Sequence, residues 1–304
     1  MTSYSKIFDP PLVEAADEAA TKGTNRYRYT ERAILVVNAA LVTGRPVLVH
    51  GLSGTGKSSL ARDVASVLGR RLESHVITGN TTVEDLKWQI DHVQRLALAH
   101  GQGTADELAL ANFVAPGALW WAFEPESAQI QHRRVFGTDR PSTDTGRRTV
   151  LLLDEIDKAD PDLANALLEP LEEGTFTVPH LNDRVISRSA ANDGPASPLI
   201  FVTTNQERRL PDAFLRRCLD LGLDYPSRSG MLAIATEKGL NTHFDEIWAA
   251  LFGDGAKLTI STAEVLDTLQ AYDELFDGDR DLIQDLQLVT AWKHGKAKPA
   301  EEVP

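Results

Sequence analysis

Three short runs are apolar at nearly every position: PVLVH before residue 51, TVLLLD ending at Asp154, and PLIFVTTN ending at Asn205. Continuous rather than alternating hydrophobicity suits strands buried on both faces of a parallel sheet, and RLESHVIT adds a further strand candidate. Between these runs the apolar positions take helical spacing. TERAILVVNAALVTG places Ile34, Val37, Ala40 and Leu41 on one face and stops at Gly44. SSLARDVASVLG does the same with Leu60, Val64 and Val67. TTVEDLKWQIDHVQRLALAH predicts one long helix with Val83, Leu86, Ile90, Val93 and Ala97 on its buried face. ADPDLANALLEPLEEG predicts another, with Asp160 as N-cap, Pro161 at the first position and Gly174 as its stop.

Strands alternating with helices predict an α/β class with a doubly wound parallel sheet. The segment at about 98–148 is mixed and reads as an insertion, with ALWWAF as its apolar stretch and FGTDRPSTDTGRR as a loop. After Tyr225-Pro226 strand signals stop, and MLAIATEKGL, FDEIWAALFG and STAEVLDTLQAYDELF predict a small all-helical domain. The expected organisation is an N-terminal extension over 1–29, a core over 30–226, and a helical domain with a C-terminal tail over 227–304.

Composition narrows this picture. A chain of 304 residues, 42% hydrophobic, can bury a substantial core. The formal net charge of −13 disfavours a generally cationic surface for nucleic acid or anionic lipid. The single cysteine, Cys218, excludes an intramolecular disulfide and a cysteine-based zinc cluster. No apolar segment with basic flanks opens the chain and no run is long enough to span a bilayer, so the expectation is a soluble cytoplasmic protein.

Candidate chemistry begins at HGLSGTGKSSL. Gly51, Gly56, Lys57 and Ser58 satisfy G-x-x-x-x-G-K-[ST] directly after a predicted strand and before a predicted helix. In that motif the backbone N–H groups of Ser53, Gly54, Thr55, Gly56 and Ser59 cradle phosphates, the lysine reaches the terminal phosphates, and the serine hydroxyl takes a Mg²⁺ position. In VLLLDEIDKAD a buried strand ends in Asp154, placed to hold the same Mg²⁺, and Glu155 is placed to activate a water at the γ-phosphate. Asn205 ends the next strand, where an amide can bond both phosphate and water, though asparagine is also an ordinary turn residue there. Arg216 and Arg217 end a short predicted helix, where cations also favour the helix dipole.

Together these elements resemble the AAA+ ATPases and, within them, the MoxR-type branch. GLSGTGKS matches Walker A, LLLDEIDKADPDLANALLEPLEEGTFTV matches Walker B with the helix and hairpin after it, LIFVTTNQ matches sensor 1, and LPDAFLRRCLDLGLDYP matches the arginine finger and last core strand. FVAPGALWWAF also resembles the stretch before Walker B in this branch. The resemblance covers about residues 30–226 well. It implies ATP and Mg²⁺ as cofactors, Asn205 as sensor 1, and Arg216 or Arg217 acting on a neighbouring subunit's site, with Arg216 preferred. It therefore implies a ring, usually a homo-hexamer. The S-P-R triplet of MoxR-type lids is missing, and Lys293 is a weak substitute for its sensor 2 arginine.

The chain ends soon after the helical domain, which predicts that its work is done on a separate client. For this branch the implied partner is one with a von Willebrand factor A domain. Trp88 falls where such rings place a pore loop, and it can either grip a polypeptide or pack against the inserted segment, the more ordinary fate of a tryptophan. The leading expectation is ATP hydrolysis by a ring that remodels or activates a protein. The alternatives are a McrB-like motor serving nucleic-acid processing, an ATP-dependent assembly switch with little turnover, and a small-molecule P-loop kinase. The acidic balance counts against the first, and the intact Asp154, Glu155 and Asn205 against the second.

Overall fold

The computed structural model describes residues 6–10, 27–101, 104–140, 148–188, 198–252 and 260–275. The chain forms two compact units. The first comprises 29–51 and 57–222 with the N-terminal dozen residues, and the second comprises 223–304 with 13–28 and the short loop 52–56.

The first unit is built on a five-stranded sheet. β1 (Val47–His50), β2 (Arg71–Val76), β5 (Thr149–Asp154), β8 (Leu199–Thr204) and β9 (Leu219–Gly222) lie in the order β2-β5-β8-β1-β9. All of these pairings are parallel. The doubly wound parallel sheet expected from the apolar runs is present. β5 and β8 are buried at nearly every position, as two covered faces require. Helix α1 (Glu31–Thr43) packs on β1 and β9, and α2 (Lys57–Val67) on β2, β5 and β8. Thr30 caps α1 through its side chain, and Gly44 ends it in the left-handed conformation (φ +69°). Helix α5 (Ala118–Phe123) lies against β2 and β5, burying Leu119, Trp120, Trp121 and Phe123 beside Leu151, Leu153, Ile200 and Val202.

Two helical expectations are corrected. Residues 83–100 do not form one helix: α3 (Val83–Lys87) gives way to β3 (Trp88–Ile90), and α4 (His92–His100) starts anew. The break has a local cause and a distant one. Asp91 caps α4 by accepting from the Gln94 N–H, and β3 pairs antiparallel with β4 (Val114–Pro116) from the inserted segment. A Cβ on Gly117, just past β4, would lie 2.5 Å from the Leu86 carbonyl oxygen, so only glycine admits this approach. The second predicted helix divides into α7 (Pro161–Ala166) and α8 (Leu168–Glu173), because Pro170 has no N–H to offer the Ala166 carbonyl. Its ends are as expected, with Asp160 capping and Gly174 left-handed at φ +68°. Between these segments α6 (Pro125–Phe136) completes the insertion, and β6 (Thr175–Val178) and β7 (Arg184–Ser187) follow α8 as an antiparallel hairpin.

Helix α9 (Asp212–Arg217) leads into β9. The second unit holds α10 (Arg228–Glu237), α11 (Phe244–Phe252) and α12 (Thr262–Leu275), which bury Met231, Phe244, Ile247, Val265, Leu269 and Tyr272 in a core of their own. Among the described residues no helix is long and apolar enough to cross a membrane. Lys293, most of the N-terminal extension and most of the FGTDRPSTDTGRR loop lie outside the described residues.

Candidate active site

Strand order places the site. The chain leaves β1 for β2 on one side and later reaches β9 on the other, so β1 and β8 flank a topological switch point, where open α/β sheets hold ligands beyond their carboxyl ends. His50 pairs with Thr204, so the next residues, Gly51 and Asn205, leave the sheet side by side. The Lys57 Nζ donates to both, at 2.8 Å to the Gly51 carbonyl and 2.7 Å to Asn205 Oδ1. Leu153 pairs with Val202, which sets Asp154 beside Thr203. The Thr203 Oγ1 donates to Asp154 Oδ1 at 2.5 Å, and the Ser58 hydroxyl lies 2.8 Å from each Asp154 oxygen.

Lys57 is buried, and burial holds its ammonium below the ordinary lysine value. The carboxylates of Asp154, Asp157 and Glu155 work in the opposite direction. The same three acids offset part of the desolvation cost of a buried cation.

Glu155 adopts a left-handed backbone, φ +63°, and so does Gln206 at φ +62°. A side chain in that region costs about 1–3 kcal/mol and persists only where its surroundings hold it. The holding groups are visible. The Glu155 N–H donates to Thr203 Oγ1 at 2.8 Å, and the Gln206 N–H to Thr204 Oγ1 at 2.9 Å. On either side of Gln206, the N–H groups of Asn205 and Glu207 both donate to Asp157 Oδ2, at 3.1 and 2.9 Å. The Glu155 carboxylate meets Asn205 Nδ2 at 3.5 Å and Lys158 Nζ at 3.3 Å.

Loop 52–56 has its own supports within the second unit. Gly54 and Gly56 take φ +79° and +90°, which glycine alone adopts at no steric cost. Thr55 Oγ1 donates to the Leu52 carbonyl at 2.9 Å, the Tyr225 hydroxyl donates to the Ser53 carbonyl at 2.9 Å, and the Thr262 N–H donates to the Gly54 carbonyl at 3.3 Å. Ser59 is exposed.

The sequence-predicted residues Lys57, Ser58, Asp154, Glu155 and Asn205 are thus brought into one cluster. The donor set, one carboxylate and one hydroxyl, suits a hard cation of the kind that takes its remaining oxygen ligands from phosphates and water. Arg216 and Arg217 sit apart, at the end of α9. Arg217 donates to Glu172 at 2.7 Å and to the Ala213 carbonyl at 3.0 Å, whereas the exposed Arg216 side chain makes no hydrogen bond or ion pair among the described residues. Arg45 donates to the carbonyls of Arg216, Arg217 and Cys218 and so fixes the end of that helix.

Sequence reasoning missed Thr203, Asp157 and Arg45. Thr203 had a signal, a hydroxyl pair ending an otherwise apolar run. Asp157 had one in the third acid of DEID, while Arg45 had none. Trp88 packs, stacked on Phe176 with ring centroids 6.3 Å apart and paired through β3 with the inserted segment. Cys218 is buried, which pushes its thiol up to about 12, so it is a structural residue.

Residues 46–218, more than half of the chain, match the model of the AAA domain, dynein-related subfamily. The chain belongs to this family. Its P-loop fold and nucleotide-binding character follow from that membership. Among solved structures, this AAA domain protein is similar to a proposed ATPase from Cytophaga hutchinsonii, with 16% identity and a TM-score of 0.43, covering 80% of this chain and 57% of that one. It is also similar to the Thermotoga maritima RuvB Holliday junction branch migration motor, with 15% identity and a TM-score of 0.43, covering 85% of this chain and 67% of that one. The chain therefore spans little more than half the length of the Cytophaga protein. No curated protein matches it.

Proposed function

We propose that the chain is a Mg²⁺-dependent ATPase of the MoxR type that acts in the cytoplasm as a homo-hexameric ring and remodels or activates a separate protein, such as one bearing a von Willebrand factor A domain. Residues 30–226 form its catalytic core and 227–304 its lid and tail. One observation carries the reading: the Ser58 hydroxyl lies 2.8 Å from both Asp154 oxygens while Lys57 reaches Asn205 at 2.7 Å, so the metal-holding pair and the phosphate-sensing pair occupy one sheet edge.

Ser58 and Asp154 would hold Mg²⁺, which would supply charge neutralisation for phosphoryl transfer. Lys57 exchanges Gly51 and Asn205 for phosphate oxygens. The backbone N–H groups of Ser53, Gly54, Thr55, Gly56 and Ser59 bond the remaining phosphate oxygens. Asn205 orients the attacking water and Glu155 takes its proton as the water oxygen bonds to the γ-phosphorus and the bond to the ADP oxygen breaks. Arg216 completes the neighbouring subunit's site. Its unengaged side chain supports this choice over Arg217, which is already tied to Glu172. The net charge of −13 supports a protein client over direct nucleic-acid binding.

The test is ATPase rate per subunit against protein concentration, with sizing in ATP. Specific activity rises cooperatively with concentration in the wild type, and Glu155→Gln abolishes turnover while retaining a large assembly. Arg216→Ala assembles but loses about 10³ in rate, the scale of an arginine supplied in trans, and Arg217→Ala loses much less. Flat specific activity from a monomer that survives Arg216→Ala refutes the ring.

A further inference from the structure

His50, the last residue of β1, belongs to none of the motifs above, yet it stands between two functional segments. Its Nδ1 lies 3.1 Å from Gln206 Nε2, and its Nε2 lies 3.0 Å from Asp220 Oδ1. The second Asp220 oxygen accepts from Arg32 at 3.2 Å. The amide nitrogen can only donate, so Nδ1 accepts, and the ring proton sits on Nε2 facing the carboxylate. Asp220 lies on β9, immediately after the arginine-bearing helix, and Gln206 immediately follows Asn205.

A second, independent feature makes room for the ring. A Cβ on Gly222 would come within 2.9 Å of His50 Cε1, so the imidazole lies over β9 because position 222 is glycine. Gln206 in turn is one of two left-handed residues flanking the site, and its side chain is anchored by His50. Asp157 holds the backbone on both sides of Gln206, while the Gln206–His50 bond reaches from this loop to β1 and the His50–Asp220 pair carries the connection on to β9.

We propose that His50 is a positioning residue: through Gln206 and Asp220 it links the sensor 1 loop to the strand behind the arginine pair, and thereby sets Asn205 for hydrolysis. The inference rests on the role of Asn205 given above. Displacing β9, to which the arginine helix is attached, shifts His50, and the loss of its bond frees the strained residue next to Asn205.

The experiment uses the full chain. Long-range ¹H–¹⁵N spectra of the histidines read the His50 tautomer, and turnover is compared with the affinity for a fluorescent ATP analogue. Wild-type His50 shows the Nε2–H form. His50→Ala and Gln206→Ala each lower kcat about 10-fold, the scale of one lost hydrogen bond, with nucleotide affinity and KM unchanged. The double variant is no worse than either, since both remove one link. His50→Asn recovers only part of kcat, because its Oδ1 can stand where Nδ1 accepts but its side chain is too short to reach Asp220. An Nδ1–H tautomer overturns the proposal, as does unchanged kcat in His50→Ala and Gln206→Ala when Asn205→Ala is inactive. Full turnover in Asn205→Ala instead refutes the functional reading, and the tautomer then decides the link by itself.

Discussion

Replacing Thr203 with valine removes one oxygen and almost no volume, which makes it a direct measure of how Asp154 and Glu155 are held. The Thr203 hydroxyl does two things: it donates to Asp154 Oδ1 and accepts from the Glu155 N–H. A bond to a charged partner contributes about 1.5–3 kcal/mol and a neutral one about 0.5–1.5. Thr203 is fully buried, so the added methyl group returns on the order of 1 kcal/mol. The expected net loss is about 1–3 kcal/mol, or a fall in melting temperature of about 3–10 °C. Turnover falls further than stability implies, because Glu155 loses the bond that holds its left-handed backbone. Thermal unfolding and steady-state ATPase are measured on Thr203→Val and Thr203→Ser in parallel. The serine variant, which keeps the oxygen, stays near wild type. A valine variant that melts and hydrolyses like wild type, or a serine variant as damaged as valine, would falsify the reasoning.

Two further outcomes follow from the loop and its lysine. Gly54→Ala abolishes nucleotide binding, since its Cβ would stand 2.1 Å from Ser261 Cβ at a φ of +79°. Adding Ser261→Gly removes the clash but not the backbone strain, so a fluorescent-nucleotide titration recovers part of the affinity, and full binding by the single variant contradicts the geometry. Burial, opposed by Asp154, Asp157 and Glu155, holds Lys57 below 10.5, so between its lowered value and 10.5 the unfolded chain binds more protons, and the contribution of this group to stability rises with pH through that window. Phosphates reverse the shift, so ATP binding in that window takes up a proton. Calorimetry in buffers of differing ionisation enthalpy measures the uptake, and Lys57→Met eliminates it.

Much of the sheet was legible because burial on both faces leaves a plain mark: TVLLLD and PLIFVTTN can hardly be anything but central strands. The cluster of Lys57, Ser58, Asp154, Glu155 and Asn205 was legible because each residue ends such a strand, directly follows one, or starts the helix after it. What failed was periodicity across 83–100. The apolar spacing there is helical throughout, and the interruption comes from β4, some two dozen residues further along the chain, whose pairing with β3 outweighs the local pattern. Thr203 and Asp157 were hidden for a different reason. They bond to other candidate residues, and single positions carry no trace of a partner until the strands are set side by side.

The strand register explains why so few residues suffice. His50 faces Thr204 and Gly222, while Leu153 faces Val202, so the carboxyl ends of β5, β8, β1 and β9 finish nearly flush. The first residues past that edge are therefore neighbours whatever their separation in sequence, and the bond from Lys57 to Asn205 spans 148 positions along the chain. A slip of β8 by one residue would turn Thr203 away from Asp154 and exchange its two buried faces, because successive side chains point to opposite sides. The continuous apolar character of β8 would tolerate the exchange of faces, since both are covered. Hydrophobic burial alone thus specifies this register weakly. The polar bonds at the edge supply the discrimination: Thr203 to Asp154, and Asp157 to the Asn205 and Glu207 N–H groups, form only in the observed alignment. The groups that position the chemistry are in that sense also the groups that select the pairing of the central strands.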